Sequence, residues 1–140
     1  MSARFFLDTN VFVYSFDQSA PVKARRATQL IRESLATQKG VVSYQVVQEF
    51  FNVALRRFAQ PMLPAECEQY LNIVFRPLIA IHSSQALYAE ALRLHAQSGL
   101  AWYDSLIVSS ALQAQCDVLF TEDLQPGQRF GSLQIQNPFL

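Results

Sequence analysis

Four acidic residues stand where a parallel sheet would bring their carboxylates together. Asp8 and Asp123 each follow a short apolar run that predicts a strand. Glu49 lies early in a helix predicted after another such run, and Asp104 begins a further predicted helix. In open parallel sheets the ligand crevice lies outside the carboxyl ends of the strands. The four carboxylates are therefore predicted to share one crevice.

Converging carboxylates favour a bound cation. Two of them in close contact repel each other by about 4 kcal/mol at an effective dielectric constant near 20. A divalent ion relieves this repulsion, and hard cations such as Mg²⁺ prefer oxygen ligands. Such an ion also lowers the pKa of water and offsets charge on a phosphate. The pattern predicts metal-dependent hydrolysis of a phosphodiester, a scheme in which neither His82 nor His95 is needed as a base.

Each acid also has an ordinary structural explanation when it is taken alone. Asp8 can accept hydrogen bonds from the turn that follows its strand. Glu49 can lie on a solvated helix face, and Asp104 can interact with the dipole of its own helix. Asp123 can cap a turn, and the neighbouring Glu122, which is expected to face solvent, competes with it as the fourth acid. The joint placement favours a metal site over four separate explanations.

The distribution of charge permits a nucleic-acid substrate. The chain has 11 basic and 11 acidic residues and no net charge. If four acids belong to the site, the remaining seven leave a surplus of positive charge over the rest of the surface. Lys23, Arg25 and Arg26 on one predicted helix, or Arg56 and Arg57 on another, are candidate phosphate contacts. Both groups are also typical of solvated helix faces.

Length and composition predict one cytoplasmic domain. The 140 residues are sufficient for a single domain spanning 1–140 with a well-filled core. We find no signal peptide and no apolar stretch of membrane-spanning length, so no membrane association is expected. Cys67 and Cys116 lack the spacing of ligand or redox pairs and are predicted to be buried free thiols.

Hydrophobic periodicity predicts strands that alternate with helices, which indicates a three-layer α/β/α domain around a mostly parallel sheet. Strands are predicted at 4–7, 41–42, 77–81, 118–120 and 133–136. Helices are predicted at 9–16, 21–38, 44–58, 64–75, from Ser83 or Ser84 to Gly99, and at 103–115. Apolar residues of 64–75 and the pair Phe50-Phe51 are interpreted chiefly as core, with a dimer or partner groove as the alternative.

The order and spacing of these motifs resemble the PIN domain over nearly the whole chain. The resemblance rests on Asp8-Thr9-Asn10, on a glutamate early in the helix after strand two, on Tyr103-Asp104, and on Thr121-Glu122-Asp123-Leu124. The closing Ile135-Gln136-Asn137-Pro138-Phe139 is similar to the end of bacterial members. The resemblance implies a five-stranded sheet of order 3-2-1-4-5, which places strands one and four side by side.

The resemblance also implies roles for six residues and a biological setting. The implied roles are core metal-binding acids for Asp8, Glu49 and Asp104, a fourth acid for Asp123, and supporting polar groups for Asn10 and Thr121. Free-standing members resemble VapC-type toxins, which implies a Mg²⁺- or Mn²⁺-dependent endoribonuclease acting on RNA. A homodimer and a cognate antitoxin protein are implied as partners.

Two other functions are compatible with parts of the pattern. A haloacid-dehalogenase-like phosphatase also begins with an aspartate after strand one, but it needs a second aspartate two residues later, where this chain has Asn10. The chain also has no convincing lysine in its later half for that mechanism. A PIN-like module that binds a partner without cleaving anything is the second alternative. Trp102 and Tyr103, which could stack on a base, are also interpreted as packing residues.

Overall fold

Six short strands form one sheet in the computed structural model, which describes residues 3–140. The strands are β1 Phe5–Leu7, β2 Gly40–Ser43, β3 Ile79–Ile81, β4 Val118–Phe120, β5 Arg129–Phe130 and β6 Leu133–Gln136. Their order across the sheet is β3-β2-β1-β4-β6-β5. All neighbours are parallel except β5 and β6, which form an antiparallel pair at one edge.

The central pair of strands brings two distant segments of the chain to one edge of the sheet. Phe5 lies opposite Val118 and Leu7 lies opposite Phe120. The backbone N–H of Asp8 continues this ladder by donating to the carbonyl of Phe120 at 3.1 Å. The residues that directly follow β1 and β4 in the sequence therefore lie close together at this edge of the sheet.

Helices cover both faces of the sheet. They are α1 Thr9–Tyr14, α2 Pro21–Thr37, α3 Tyr44–Ala54, α4 Pro64–Tyr70, α5 Arg76–Leu78, α6 Gln85–Ser98 and α7 Trp102–Gln113, with a π-helical turn at Leu71–Phe75 between α4 and α5. Local chemistry explains several ends. The Ser84 hydroxyl accepts from the N–H of Leu87 at 3.0 Å and caps α6, which ends at Gly99 with a φ of 75°.

The core lies between these layers and explains the apolar runs of the sequence. All three residues of β1 are buried, as expected for a central parallel strand with helices on both faces. Fully buried aromatic rings, among them Phe12, Phe50 and Phe75, pack edge-to-face or tilted against one another on one side. Gly40 allows β2 to approach α2, since a Cβ there would lie 1.9 Å from the hydroxyl oxygen of Ser34.

The predicted fold class is confirmed, and so is the predicted order of its five main strands. The sheet has a sixth strand that was not predicted, the two-residue β5. The third strand is shorter than predicted, because Pro77 suits the first turn of a helix and Arg76–Leu78 is helical. The helix after Ser43 ends at Ala54, where the carbonyl accepts from the N–H of Met62 and the chain turns back.

Other expectations concern burial. Cys67 and Cys116 are buried free thiols, as predicted. Phe50 is fully buried, and Phe51, Leu71 and Val74 pack against the core, which confirms their interpretation as core residues. Within residues 3–140, no helix combines the length and apolar character needed to cross a membrane.

Candidate active site

All four predicted acids line one open cleft at the carboxyl edge of the sheet. The cleft has a volume of about 570 Å³. Asp8 follows β1, Glu49 lies on α3, Asp104 lies in the first turn of α7, and Asp123 follows β4. Four segments that are far apart in sequence thus contribute one carboxylate each to the same space.

Asp8 is the most enclosed of these acids, with 5% of its surface exposed. It is the N-cap of α1, because one side-chain oxygen, Oδ1, accepts from the N–H of Thr9 at 2.7 Å. The other oxygen, Oδ2, accepts from the Thr121 hydroxyl at 2.7 Å. Asp8 therefore caps α1, as expected of an isolated aspartate, but only Oδ1 takes part in the cap.

The pKa values of two acids reflect burial and mutual repulsion. Burial chiefly raises the pKa of Asp8 to about 7; the charges of Asp123 and Glu49 add to this rise, and the hydrogen bonds from Thr121 and Thr9 oppose it. Partial burial, together with the charge of Asp123, also raises the pKa of Asp104. Ionisation of Asp8 and Asp104 is thus disfavoured by burial and by neighbouring carboxylates, which is the electrostatic situation that a cation would relieve.

Thr121 and Asn10 connect the first and fourth acids. The Thr121 oxygen accepts from the Asn10 side-chain amide at 3.2 Å and from the N–H of Asp123 at 3.1 Å. The same amide nitrogen of Asn10, Nδ2, donates to Oδ2 of Asp123 at 3.2 Å. Asn10 and Thr121 thus lie where polar groups that orient the acids are expected.

Glu49 is positioned by the residue that follows Asp8. The Thr9 hydroxyl donates to its Oε1 at 2.7 Å, and the Gln45 amide approaches its Oε2 at 3.5 Å. Gln45 also donates to the backbone carbonyl of Tyr103 at 3.2 Å, so α3 is tied to the start of α7. Gln45 and Asn52 share the cleft with Glu49, and this polar stripe of α3 is therefore a cleft wall.

Glu122 does not simply face solvent, which corrects the expectation from sequence. Its Oε1 accepts from the Tyr14 hydroxyl at 2.6 Å, and its Oε2 accepts from the Lys23 ammonium at 2.7 Å. Burial raises the pKa of Glu122, but the hydrogen bonds from Lys23 and Tyr14 and the charge of Lys23 together outweigh burial and lower it. Lys23, a candidate phosphate contact in the sequence, is engaged in this ion pair.

The two aromatic residues beside Asp104 differ in their surroundings. Trp102 packs edge-on against Tyr88 with ring centroids 6.0 Å apart, which agrees with a packing role. Tyr103 is 64% exposed and lines the cleft. An exposed aromatic ring beside a carboxylate cluster provides a surface on which a flat ligand group can stack.

The chemistry of the donors fits a hard cation, although the side chains do not form a finished cage. Across residues 3–140, no three His, Cys, Asp or Glu side chains are grouped closely enough to hold a metal ion. The cleft nevertheless presents carboxylate oxygens, and the side-chain oxygen of Asn10 is buried without a hydrogen-bond partner among the described residues. An all-oxygen set suits Mg²⁺ or Mn²⁺ better than softer metals.

The fold agrees with comparisons to known proteins. The PIN domain family model matches residues 5–128, and the chain belongs to the PIN domain family. Members of this family are nucleases, which supports hydrolysis of nucleic acid as the class of reaction. No protein of curated function matches the sequence significantly.

Solved structures with the same fold come from several bacteria. A toxin–antitoxin complex from Klebsiella pneumoniae superposes with a TM-score of 0.67 at 18% identity, over 98% of each chain. DNA-bound VapBC from Salmonella typhimurium gives 0.64 at 19% identity, over 98% of this chain and 99% of the other. Mycobacterium tuberculosis VapC20, described as a Sarcin-Ricin loop cleaving toxin, gives 0.58 at 15% identity, over 85% and 91%.

Proposed function

We propose that this protein is a divalent-metal-dependent endoribonuclease and the toxin of a toxin–antitoxin pair. The observation that carries the proposal is the convergence of four carboxylates, from four separate segments, in one open cleft. Membership of a nuclease family supports the reaction class. The metal, the RNA substrate and the toxin role belong to the proposal.

In this proposal the acids divide into ion ligands and a water-positioning group. Asp8, Asp104 and Asp123 hold Mg²⁺ or Mn²⁺, and Glu49 either contributes to a second ion or positions water. When bound, a divalent ion lowers the pKa of water and offsets charge that develops on the phosphate. The Thr9 hydroxyl fixes one oxygen of Glu49 and leaves the other facing only the more distant amide of Gln45.

The polar residues behind the acids set their orientation. Thr121 donates to Asp8, and the Asn10 amide donates to both Thr121 and Asp123. Because Asp8 and Asp123 each have an oxygen engaged by such a donor, the rotation of these two carboxylates is restricted before any ion arrives. Partners of this kind typically change metal affinity or activity by about 10–100-fold when they are removed.

The substrate and partners are proposed by analogy with the related structures. VapC20 is described as cleaving the Sarcin-Ricin loop, and the Klebsiella pneumoniae relative is a toxin–antitoxin complex. By analogy we propose that this protein acts on RNA in the cytoplasm, forms a homodimer and is inhibited by a cognate antitoxin. The open cleft and the exposed Tyr103 ring suit a single-stranded or looped segment, whose unstacked bases are accessible.

A cleavage assay with two aspartate variants tests the proposal. Purified wild type, Asp8→Asn and Asp17→Asn are incubated with mixed RNA in Mg²⁺, in Mn²⁺ and in EDTA. Asp17 lines the same cleft, but its carboxylate is bound to Ser19, so it provides a matched control. We expect cleavage by wild type and Asp17→Asn, and none with EDTA or with Asp8→Asn.

Two results would count against the proposal. Equal cleavage by wild type and Asp8→Asn would indicate a contaminating nuclease or a wrong site. No cleavage by folded, antitoxin-free wild type on any RNA would favour a module that binds a partner without catalysis.

A further inference from the structure

Glu122 is a further acid in the cleft, beside the four predicted ligands, and the immediate neighbour of Asp123. Both oxygens of Glu122 are bound, one by the Tyr14 hydroxyl and the other by the Lys23 ammonium. Asp123 differs in this respect, because within residues 3–140 its side chain accepts only from Asn10, through one oxygen. Glu122 therefore has both carboxylate oxygens in hydrogen bonds, whereas the adjacent Asp123 has one oxygen available to a ligand.

We propose that Tyr14 and Lys23 are positioning residues that hold Glu122 away from the metal ion, so that Asp123 serves as the fourth ligand. The inference rests on the proposed function, since without a metal ion there is no choice between the two acids. It assigns to α1 and α2 a role in selecting the ligands of the site.

Several contacts fix the positions of Tyr14 and Lys23 beside Glu122. Tyr14 is the last residue of α1 and Lys23 lies in the first turn of α2. The Lys23 ammonium is also 3.3 Å from the Tyr14 hydroxyl and 4.6 Å from the centre of its ring. The Phe139 ring packs edge-on against Tyr14 at 4.9 Å and lies 5.8 Å from the ammonium. The C-terminal segment thus supports both donors.

The charges of Lys23 and Glu122 explain how these contacts would affect ion binding. Lys23 compensates the negative charge of Glu122, so this acid adds no uncompensated charge beside Asp123. A released Glu122 would add a charge and two flexible oxygen donors beside Asp123, and hard cations bind carboxylate oxygens readily. The released Glu122 would therefore tighten ion binding, but it would draw the ion toward itself and away from Asp123.

The test is a thermodynamic cycle on metal affinity, which does not depend on turnover. Mn²⁺ binding to the metal-free protein is measured by calorimetry for wild type, Lys23→Met, Glu122→Gln and the double variant. We expect Lys23→Met to bind Mn²⁺ about fivefold more tightly, the effect of one added charge near a solvated ion. In the Glu122→Gln background the same substitution removes the same positive charge but releases no acid, so the tightening should be clearly smaller.

Two further variants separate ligand selection from general electrostatics. Arg25→Met removes a charge from the exposed side of the same helix, and we expect it to change affinity by less than about twofold because solvent and salt screen it. Tyr14→Phe changes no charge and keeps the ring against Phe139. It should tighten Mn²⁺ binding in the presence of Glu122 and have no effect in its absence.

The outcomes distinguish this inference from the function on which it rests. Equal tightening by Lys23→Met with and without Glu122 would overturn the inference and leave the metal site intact. No Mn²⁺ binding by wild type, or equal binding by Asp8→Asn, would overturn the proposed function itself. Thermal unfolding of each variant checks that it is folded, which the partial exposure of Lys23, 38% of its side chain, favours.

Discussion

The hydroxyl of Thr121 donates a hydrogen bond of 2.7 Å to Oδ2 of Asp8, across a separation of 113 residues in the chain. The two residues meet because β1 and β4 are parallel neighbours and each residue directly follows its strand. A threonine and an aspartate are thus brought to one point by the order of the strands. Sheet topology is the direct cause of the candidate site.

Removal of the Thr121 hydroxyl should destabilise the protein. Thr121→Val keeps the shape of the side chain but leaves a buried oxygen of Asp8 without its donor, which typically costs about 1–3 kcal/mol. Urea unfolding at pH 8, where Asp8 is mostly ionised, measures the loss. Thr121→Ser retains the hydroxyl and should recover most of the stability, whereas equal losses in both variants would point to lost packing instead.

Stability of the metal-free protein should depend on pH through Asp8. Its pKa is raised from 3.8 to about 7, mainly by burial, so the folded chain keeps a proton over a range where the unfolded chain has lost it. The stabilisation is full below about pH 4 and is lost as pH rises through about 7. At 1.36 kcal/mol per pKa unit it amounts to about 4 kcal/mol.

The Asp8→Asn variant isolates this contribution. The difference in unfolding free energy between variant and wild type should grow in favour of the variant from pH 4 to pH 8. Asp104, whose pKa is also raised, acts in the same direction in both proteins and cancels from the comparison. A difference that stays constant with pH would show that Asp8 titrates normally.

Loss of the Asn10 amide should weaken metal binding without removing a ligand acid. Asn10→Ala leaves Asp123 without its hydrogen-bond donor and Thr121 without one of its two donors. We expect Mn²⁺ affinity to fall by about 10-fold or more, as for other groups that orient ligands. Asn52→Ala, on an exposed residue of the same cleft, is the control and should leave affinity unchanged. Equal affinities for all three proteins would contradict the orienting role.

Tyr103 should contribute to RNA binding by stacking. Its ring is exposed at the cleft beside Asp104, and stacking of one base on an aromatic ring contributes about 1–3 kcal/mol. Tyr103→Ala should weaken binding of an RNA fragment, measured in EDTA so that the RNA is not cleaved. Tyr103→Phe keeps the ring and should not weaken binding. Tyr44→Ala provides an exposed aromatic control that packs on His82 instead. Wild-type RNA affinity in Tyr103→Ala would contradict the stacking role.

The main features of the fold and the acids could be predicted because their signals are local. A buried run such as Val118–Phe120 predicts its own strand, and the acids then follow from the general rule that parallel strands end at one edge. The Asp8-Thr9-Asn10 motif carries its own supporting groups, since Thr9 reaches Glu49 and Asn10 reaches Thr121. Short-range patterns and one topological rule were sufficient for these features.

The remaining features depend on contacts between distant residues. Tyr14 and Lys23 bind Glu122 across 108 and 99 positions, and nothing near Glu122 in the sequence indicates an ion pair. The two-residue β5 is too short for a periodic signal and exists through its pairing with β6. Pro77 lies in an apolar run typical of a strand, and its helical turn is set by the helix that precedes it.

The most direct test of the proposed metal site is anomalous diffraction from crystals of the metal-free protein soaked in Mn²⁺. We expect an anomalous peak in the cleft, within coordination distance of a side-chain oxygen of Asp8 and of Asp104 or Asp123, and no such peak in Asp8→Asn crystals. A peak that persists in the Asp8→Asn crystals, or Mn²⁺ bound only outside the cleft, would contradict the assignment of these acids as metal ligands.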